Sequence, residues 1–389
     1  MPAQLPFERP NPLEVAPLLR ELQSRGAVHE VCTAVGDRAW LVTDYAEVRR
    51  LLSDQRLGRS HPDPPNAARA GRSALFGGPM GDFDTEPAES ARTRSLLQPH
   101  FSPKRMRALV PRVEALTARL LDDLAERPRP ADLHAALALP LPILVICELL
   151  GVPHEDRDTF REWTRAAADI HDRARSERGL ADLFAYGLEL VARKRRSPAD
   201  DVISRLSATE GVSAEEAAGL SMALLFAGHE TTVVQIGLGA LLLLTNPAQW
   251  QALHDDPDLV PDAVEEVLRA PGSGGAGIPR YARTDLEIGG VRVRTGDLVL
   301  LGIDAANHDE AVFPDPGRFD ITRQPSGHLA FGHGPRYCIG APLARIELRA
   351  ALGALVGRFP TMRPAVPLDE LTTHRGTITG GLTELPVTW

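Results

Sequence analysis

The 389-residue sequence predicts a mainly α-helical protein with a smaller strand-rich lobe. Helical periodicity runs almost unbroken from about residue 90 to 270. After Pro271 the pattern switches to period 2 with glycine turns, and one more helical run follows, from about 342 to 359. No internal repeat or linker interrupts these segments, so residues 1–389 are read as a single domain.

The first element is a helix in "PNPLEVAPLLRELQSRG", with Gly26 as its stop. "VHEVCTAVGDRAWLVTD" then alternates around a Gly-Asp turn, as a hairpin does. Residues 58–82 are rich in Pro, Gly and small side chains; a loop of that length often serves function. In "GVSAEEAAGL", Ser213 followed by Glu216 forms a capping box. The helix it opens should run to about Thr245, before Asn246-Pro247. At 1.5 Å per residue it spans roughly 45–50 Å, crosses most of the molecule, and must be buried nearly all round. "GSGGAGIPRYARTDLEIGGVRVRTGDLVLLGID" supplies short strands, and "GTITGGLTELPVTW" a final strand pair.

Composition narrows the function classes. The chain is 43% hydrophobic and 24% charged, which is ordinary globular usage. A net charge of -9 argues against nucleic acid as a partner. Lys104 and Lys194 are outnumbered by arginines, and with the abundant Ala, Gly and Pro this fits a GC-rich bacterial genome. Cys32, Cys147 and Cys338 are far apart and odd in number, so neither a disulfide framework nor a zinc spacing is suggested. A reducing, cytoplasmic setting fits. The N-terminus lacks an apolar signal-peptide core. The window Leu220–Leu244 approaches the length of a membrane span, but Gly228, His229, Glu230 and Gln235 interrupt it. A buried helix and no membrane is the better reading.

Two stretches carry chemistry. "LLFAGHETTVVQ" places His229, Glu230, Thr231 and Thr232 inside an otherwise apolar helix, where unpaired polar groups are costly. "FGHGPRYCIG" sets Cys338 among Gly332, Gly334 and Gly340, directly before a helix. Glycines admit left-handed backbone and close approach of a ligand, and N–H groups at a helix start favour a thiolate. Such a thiolate suits a haem iron.

The pattern Phe331, Gly334, Arg336, Cys338, Gly340 resembles the haem-binding signature of the cytochrome P-450 family. Further similar stretches follow one another along nearly the whole chain: "LFAGHETT", "EEVLR", "PRYARTDLEIGG", "AANHDEAVFPDPGRFDITR" and "HLAFGHG". The resemblance implies the cytochrome P-450 fold, with haem b (iron protoporphyrin IX) between the long central helix and the cysteine loop. It implies Cys338 as proximal ligand, Phe331 packed near the sulfur, and Gly340 admitting the next helix close to the porphyrin. Arg94, Arg280 and Arg336 would meet the propionates, assisted by His328. Ala227 and Gly228 would let oxygen and substrate approach the helix. Thr231 would be the oxygen-contacting hydroxyl and Glu230 the proton relay, while Glu266 and Arg269 would form a buried structural pair. Ser90 departs from the pattern, standing where a histidine commonly lies, which puts one propionate contact in doubt.

A zinc-peptidase reading of His229-Glu230 fails, because position 233 is Val233 rather than a second histidine. His229 is then expected on a helix face near solvent or a neighbouring helix, with no catalytic role, and Thr232 in packing. The implied activity is insertion of one oxygen atom from O2 into a small-molecule substrate, a bulky natural product of bacterial secondary metabolism, by hydroxylation or epoxidation. Electrons would come from a ferredoxin and its reductase, and Arg345 is a candidate for docking it. A non-catalytic haem-binding sensor, and peroxide-driven or non-hydroxylating oxidation, are the alternatives. The loop 58–82, the region near 165–190 and "PGSGGAGIP" after Arg269 should shape a roomy pocket.

Overall fold

The computed structural model describes residues 2–272, 277–324, 327–374 and 380–389. Its axis is the central helix Ala214–Thr245. Ser213 caps it, its hydroxyl accepting from the Glu216 N–H at 3.1 Å. The reciprocal half of the capping box is absent: the Glu216 carboxylate is instead taken by Arg92 of the helix Glu86–Leu97, at 2.7 and 2.8 Å. The central helix has the length and apolarity to cross a membrane, yet 72% of that window is buried inside the protein. Burial arises because helices Pro140–Leu150, Arg173–Arg196, Val202–Ala208, Val260–Arg269 and Ala341–Arg358 surround it, sharing one large apolar core. Close packing shows at its glycines: a Cβ on Gly228 would lie 2.8 Å from Ile146 Cδ1, and one on Gly239 2.6 Å from Val267 Cγ1.

The strand-rich lobe is a six-stranded sheet in the order Ala3–Gln4, Val28–Cys32, Arg38–Val42, Leu298–Leu301, Ile278–Ala282, Leu57–Gly58. The expected hairpin is present, Val28 opposite Val42 and Cys32 opposite Arg38, with Gly36 at φ 92° in its turn. Arg38–Val42 also pairs in parallel with Leu298–Leu301. That strand in turn holds Ile278–Ala282, setting Arg280 opposite Val299. The expected C-terminal strand pair is realised differently. Thr373 bridges Leu382. Pro386–Thr388 pairs with Arg363–Pro364 and with Ala131–Asp132. Residues 375–379 of that segment, and 273–276 of the predicted pocket wall "PGSGGAGIP", lie outside the described residues.

The buried pair is found as expected. Arg269 Nε and Nη2 donate to the Glu266 carboxylate, both at 2.7 Å. Arg269 Nη1 also donates to the carbonyls of Asn307 and Pro316 at 3.0 and 2.9 Å. Glu266 further accepts from the Asp320 N–H at 3.1 Å and from Arg323 Nε at 3.3 Å. The pair thus ties the helix Val260–Arg269 to the irregular chain over 307–323, which leads to the cysteine loop.

Candidate functional site

The cysteine loop is shaped by backbone that only glycine adopts easily. Gly332 and Gly334 have φ of 73° and 72°. A Cβ on Gly334 would also fall 2.2 Å from Ser53 Oγ. The Cys338 N–H donates to the Phe331 carbonyl at 2.8 Å, closing the loop on the residue expected beside the sulfur. The Arg345 guanidinium lies over the Phe331 ring, 4.6 Å from its centroid.

Cys338 is an exposed free cysteine, yet it is deep enough that burial pushes its thiol up. Together these place the sulfur on the wall of a recess. The N–H groups of Gly340 and Ala341, with Arg94 and Arg345, pull the other way and favour the thiolate. Gly340 itself has an unremarkable φ of -81°. Among the described residues, the one atom within 4 Å of a Cβ built there is Cys338 Sγ, at 3.8 Å. Protein packing therefore does not require glycine at 340, whereas a flat ligand on the sulfur would.

One edge of the loop is strongly cationic. Arg336 Nη1 donates to the Leu57 carbonyl at 2.9 Å, and its Nη2 to Glu86 at 3.2 Å. Arg280 is pushed down to about 9, by burial first and then by the neighbouring Arg336 and Arg59. Among the described residues its guanidinium donates only to the carbonyl of Pro279, at 2.7 Å. Arg59 is also lowered, by burial and by Arg336, and Glu86 opposes this. Cations crowded this way await anions. Arg94 Nη1 donates to the Tyr337 carbonyl, next to Cys338. A recessed cysteine sulfur, a glycine that packing does not demand and under-neutralised arginines together fit a planar iron macrocycle bearing carboxylates.

His328 has another partner. Its Nε2 lies 3.1 Å from Glu265, whose carboxylate also accepts from Arg345 Nε and Nη2 at 2.7 Å. Arg345 Nη1 reaches Tyr337 Oη at 3.1 Å. His328 and Arg345 therefore brace the loop from behind, which leaves Arg345 committed rather than free to dock a partner. Ser90 is exposed on the same helix as Arg94.

On the central helix, Ala223, Ala227 and Thr231 are the exposed residues between Ser221 and Thr245. Their four-residue spacing puts them on one face. Thr231 Oγ1 donates to the Ala227 carbonyl at 2.9 Å and Thr232 Oγ1 to that of Gly228 at 3.3 Å. Despite these back-bonds the helix runs on unbroken. Gly228 is small because Ile146 packs on it, while Ala227 keeps the open face low. Phe76, from the 58–82 loop, packs on Phe226 with centroids 6.5 Å apart, so the loop reaches this helix.

Burial pushes the Glu230 carboxyl up, and Arg165 and Arg161 of the helix Arg157–Ala167 partly offset it. His229 takes the second of its two expected placements, against a neighbouring helix rather than solvent: it is 0% exposed, with Arg161 and Arg165 of the helix Arg157–Ala167 as charged neighbours. Its Nδ1 lies 3.5 Å from Glu230 Oε1, and neither ring nitrogen has a hydrogen-bond partner among the described residues. Burial, helped by Arg161 and Arg165, pushes it down to about 3 and keeps it neutral.

Sequence reasoning missed Glu86, the carboxylate inside the arginine cluster. It sits in the stretch "EPAESARTRS", and nothing local marks it, since its partners come from residues 59–60, 283 and 336.

The cytochrome P450 family model matches residues 137–374. A pentalenolactone synthase from Streptomyces exfoliatus is 46% identical, over 99% of both chains. The mycinamicin IV hydroxylase/epoxidase of Micromonospora griseorubida is 39% identical, over 100% of this chain and 99% of the relative. Among solved structures, substrate-free cytochrome P450 PimD, a polyene macrolide antibiotic pimaricin epoxidase, superposes with a TM-score of 0.88. It is 41% identical, covering 100% of this chain and 99% of that one.

Proposed function

The chain belongs to the cytochrome P450 family and is a haem-dependent monooxygenase; from that premise we propose that it oxidises a bulky natural product, with Cys338 as the iron ligand. The observation that supports this reading most is the cysteine loop: a recessed sulfur facing two N–H groups, beside a cluster of under-neutralised arginines. The relatives aligned over nearly their whole length support treating residues 1–389 as one catalytic domain.

A haem b held there supplies reductive activation of O2 and transfer of one oxygen atom to the substrate, the second leaving as water. Cys338 would hold the iron through its thiolate. Arg94, Arg280 and Arg336 would hold the carboxylates of the macrocycle. Phe331 and Gly340 shape the sulfur's surroundings, and His328 braces the loop through Glu265. Ala227 keeps the opposite wall low enough for a substrate. Burial raises the Glu230 carboxyl and so favours its protonated form, and we assign it delivery of a proton towards Thr231 Oγ1. The Thr231 hydroxyl, donating to Ala227 at rest, keeps lone pairs free to accept a hydrogen bond along that path. A ferredoxin would supply the electrons, and the kinship with bacterial relatives supports a cytoplasmic setting.

The substrate class is tested by titrating macrolides and terpenoid lactones into the ferric protein and following the spin-state change of the Soret band. A ligand that shifts the band should, with ferredoxin, reductase and labelled O2, give a product carrying one labelled oxygen atom. A product whose new oxygen carries no label, having come from water, would overturn the monooxygenase chemistry for that substrate. A response confined to small monoterpenes would overturn the bulky-substrate reading.

A further inference from the structure

Four arginines, Arg59, Arg280, Arg283 and Arg336, converge on the edge of the cysteine loop around one carboxylate, that of Glu86. Glu86 is 7% exposed and fully partnered. Oε1 accepts from the Arg59 N–H at 2.8 Å and from Arg336 Nη2 at 3.2 Å. Oε2 accepts from the Ser60 N–H at 3.0 Å, Ser60 Oγ at 2.5 Å and Arg283 Nη1 at 3.2 Å. The neighbouring strand leaves room for it: a Cβ on Gly58 would lie 2.5 Å from Oε2 and 3.1 Å from Arg283 Cδ. Burial alone would raise this carboxyl, but Ser60, the two N–H groups and Arg336 hold it below its ordinary range, so it is ionised. Arg283 is fixed besides by the Phe83 carbonyl, at 2.5 Å, and by the Phe83 ring, 4.2 Å from its guanidinium carbon.

We propose that Glu86 is the fixed counter-ion of this arginine cluster, a positioning residue that holds Arg283 and Arg336 and sets the net charge the cluster presents to the carboxylates of the haem. Four guanidinium groups against one carboxylate leave an excess of three positive charges, which two propionates reduce to one. Charge at that edge acts on the iron because fields in a buried, weakly screened site reach far. Removing the Glu86 charge favours the reduced, less positive iron. Removing Arg283, on the far side of Glu86, favours the oxidised iron. The inference rests on the haem reading above. It would fail separately, because the ferrous–CO band of the wild type tests that reading before any variant is made.

The test is the ferric/ferrous midpoint potential of the purified holoprotein, by spectroelectrochemistry, for wild type, E86Q, E86D, R283Q and E86Q/R283Q. E86Q should shift the potential to more positive values and release haem faster to apomyoglobin. R283Q should shift it to more negative values. The double variant should return towards wild type, and E86D, which keeps the charge, should stay near wild type. If E86Q does not fold, R283Q decides: an unchanged potential overturns the proposal. Equal potentials in all the variants, with intact spectra, would make Glu86 a merely structural residue and overturn it as well.

Discussion

Removing either member of the Glu266–Arg269 pair should destabilise the protein, and by unequal amounts. Both residues are almost fully buried, at 3% and 2% exposure. Breaking a buried ion pair by deleting one partner costs about 3–5 kcal/mol, because the survivor is left charged in a poor solvent. The hydrogen bonds decide which deletion is worse. Without Arg269, the Glu266 carboxylate keeps Arg323 at 3.3 Å and the Asp320 N–H at 3.1 Å. Without Glu266, two guanidinium groups and that N–H lose their acceptor together, although Arg269 keeps the carbonyls of Asn307 and Pro316. E266A should therefore fall near the upper end, about 5 kcal/mol, and R269A near the lower, about 3 kcal/mol. The assay is urea unfolding followed by far-UV circular dichroism. With a slope of about 4 kcal/mol/M for a chain of this size, the two midpoints should fall by roughly 1.2 and 0.8 M. Equal losses, or losses below about 1 kcal/mol, would refute the claim that Glu266 is shared between two arginines in a dry site.

Three further outcomes are expected. Thr231 is exposed and, among the described residues, its hydroxyl makes no long-range hydrogen bond, so T231A should fold normally yet divert electrons from product to peroxide; unchanged coupling counts against its role. Gly334→Ala should lose about 2–4 kcal/mol and release haem more readily, from left-handed strain and the contact with Ser53, and S53G should recover part of the loss. A G334A protein as stable as wild type would contradict the loop geometry. His229 is held at about 3, and His308 and His100 at about 4, burial being the first cause in each. Their folded values lie below the unfolded one, so their contribution is fully present above about pH 6.5 and is lost as pH falls from there towards 4. Each contributes a slope of roughly 1.4 kcal/mol per pH unit. Urea midpoints measured from pH 7.5 to 5 should drop steeply, and H229L should flatten the drop.

Features set by local pattern were legible in the sequence. The Ser213 cap, the extent of the central helix, the hairpin and the buried Glu266–Arg269 pair all appear where periodicity, turn chemistry and the motif put them. Features set by side chains that meet from distant segments were not. Glu86 gathers partners from three other stretches, and Arg345 finds Glu265 eighty positions away, so nothing in either neighbourhood announces them. For a related reason the sequence left His229 open between solvent and a neighbouring helix, and packing against the surrounding helices closed its face completely. The C-terminal strand pairs with segments more than twenty and more than 250 residues away, a choice no local pattern encodes.

The most direct test of the account is the spectrum of the reduced protein under carbon monoxide, wild type beside C338S. The account predicts a Soret band with the strong red shift of thiolate ligation in the wild type, and its loss in C338S with circular dichroism unchanged. A wild-type band without that shift, or a C338S protein that keeps it, would contradict the assignment of Cys338 on which the site is built.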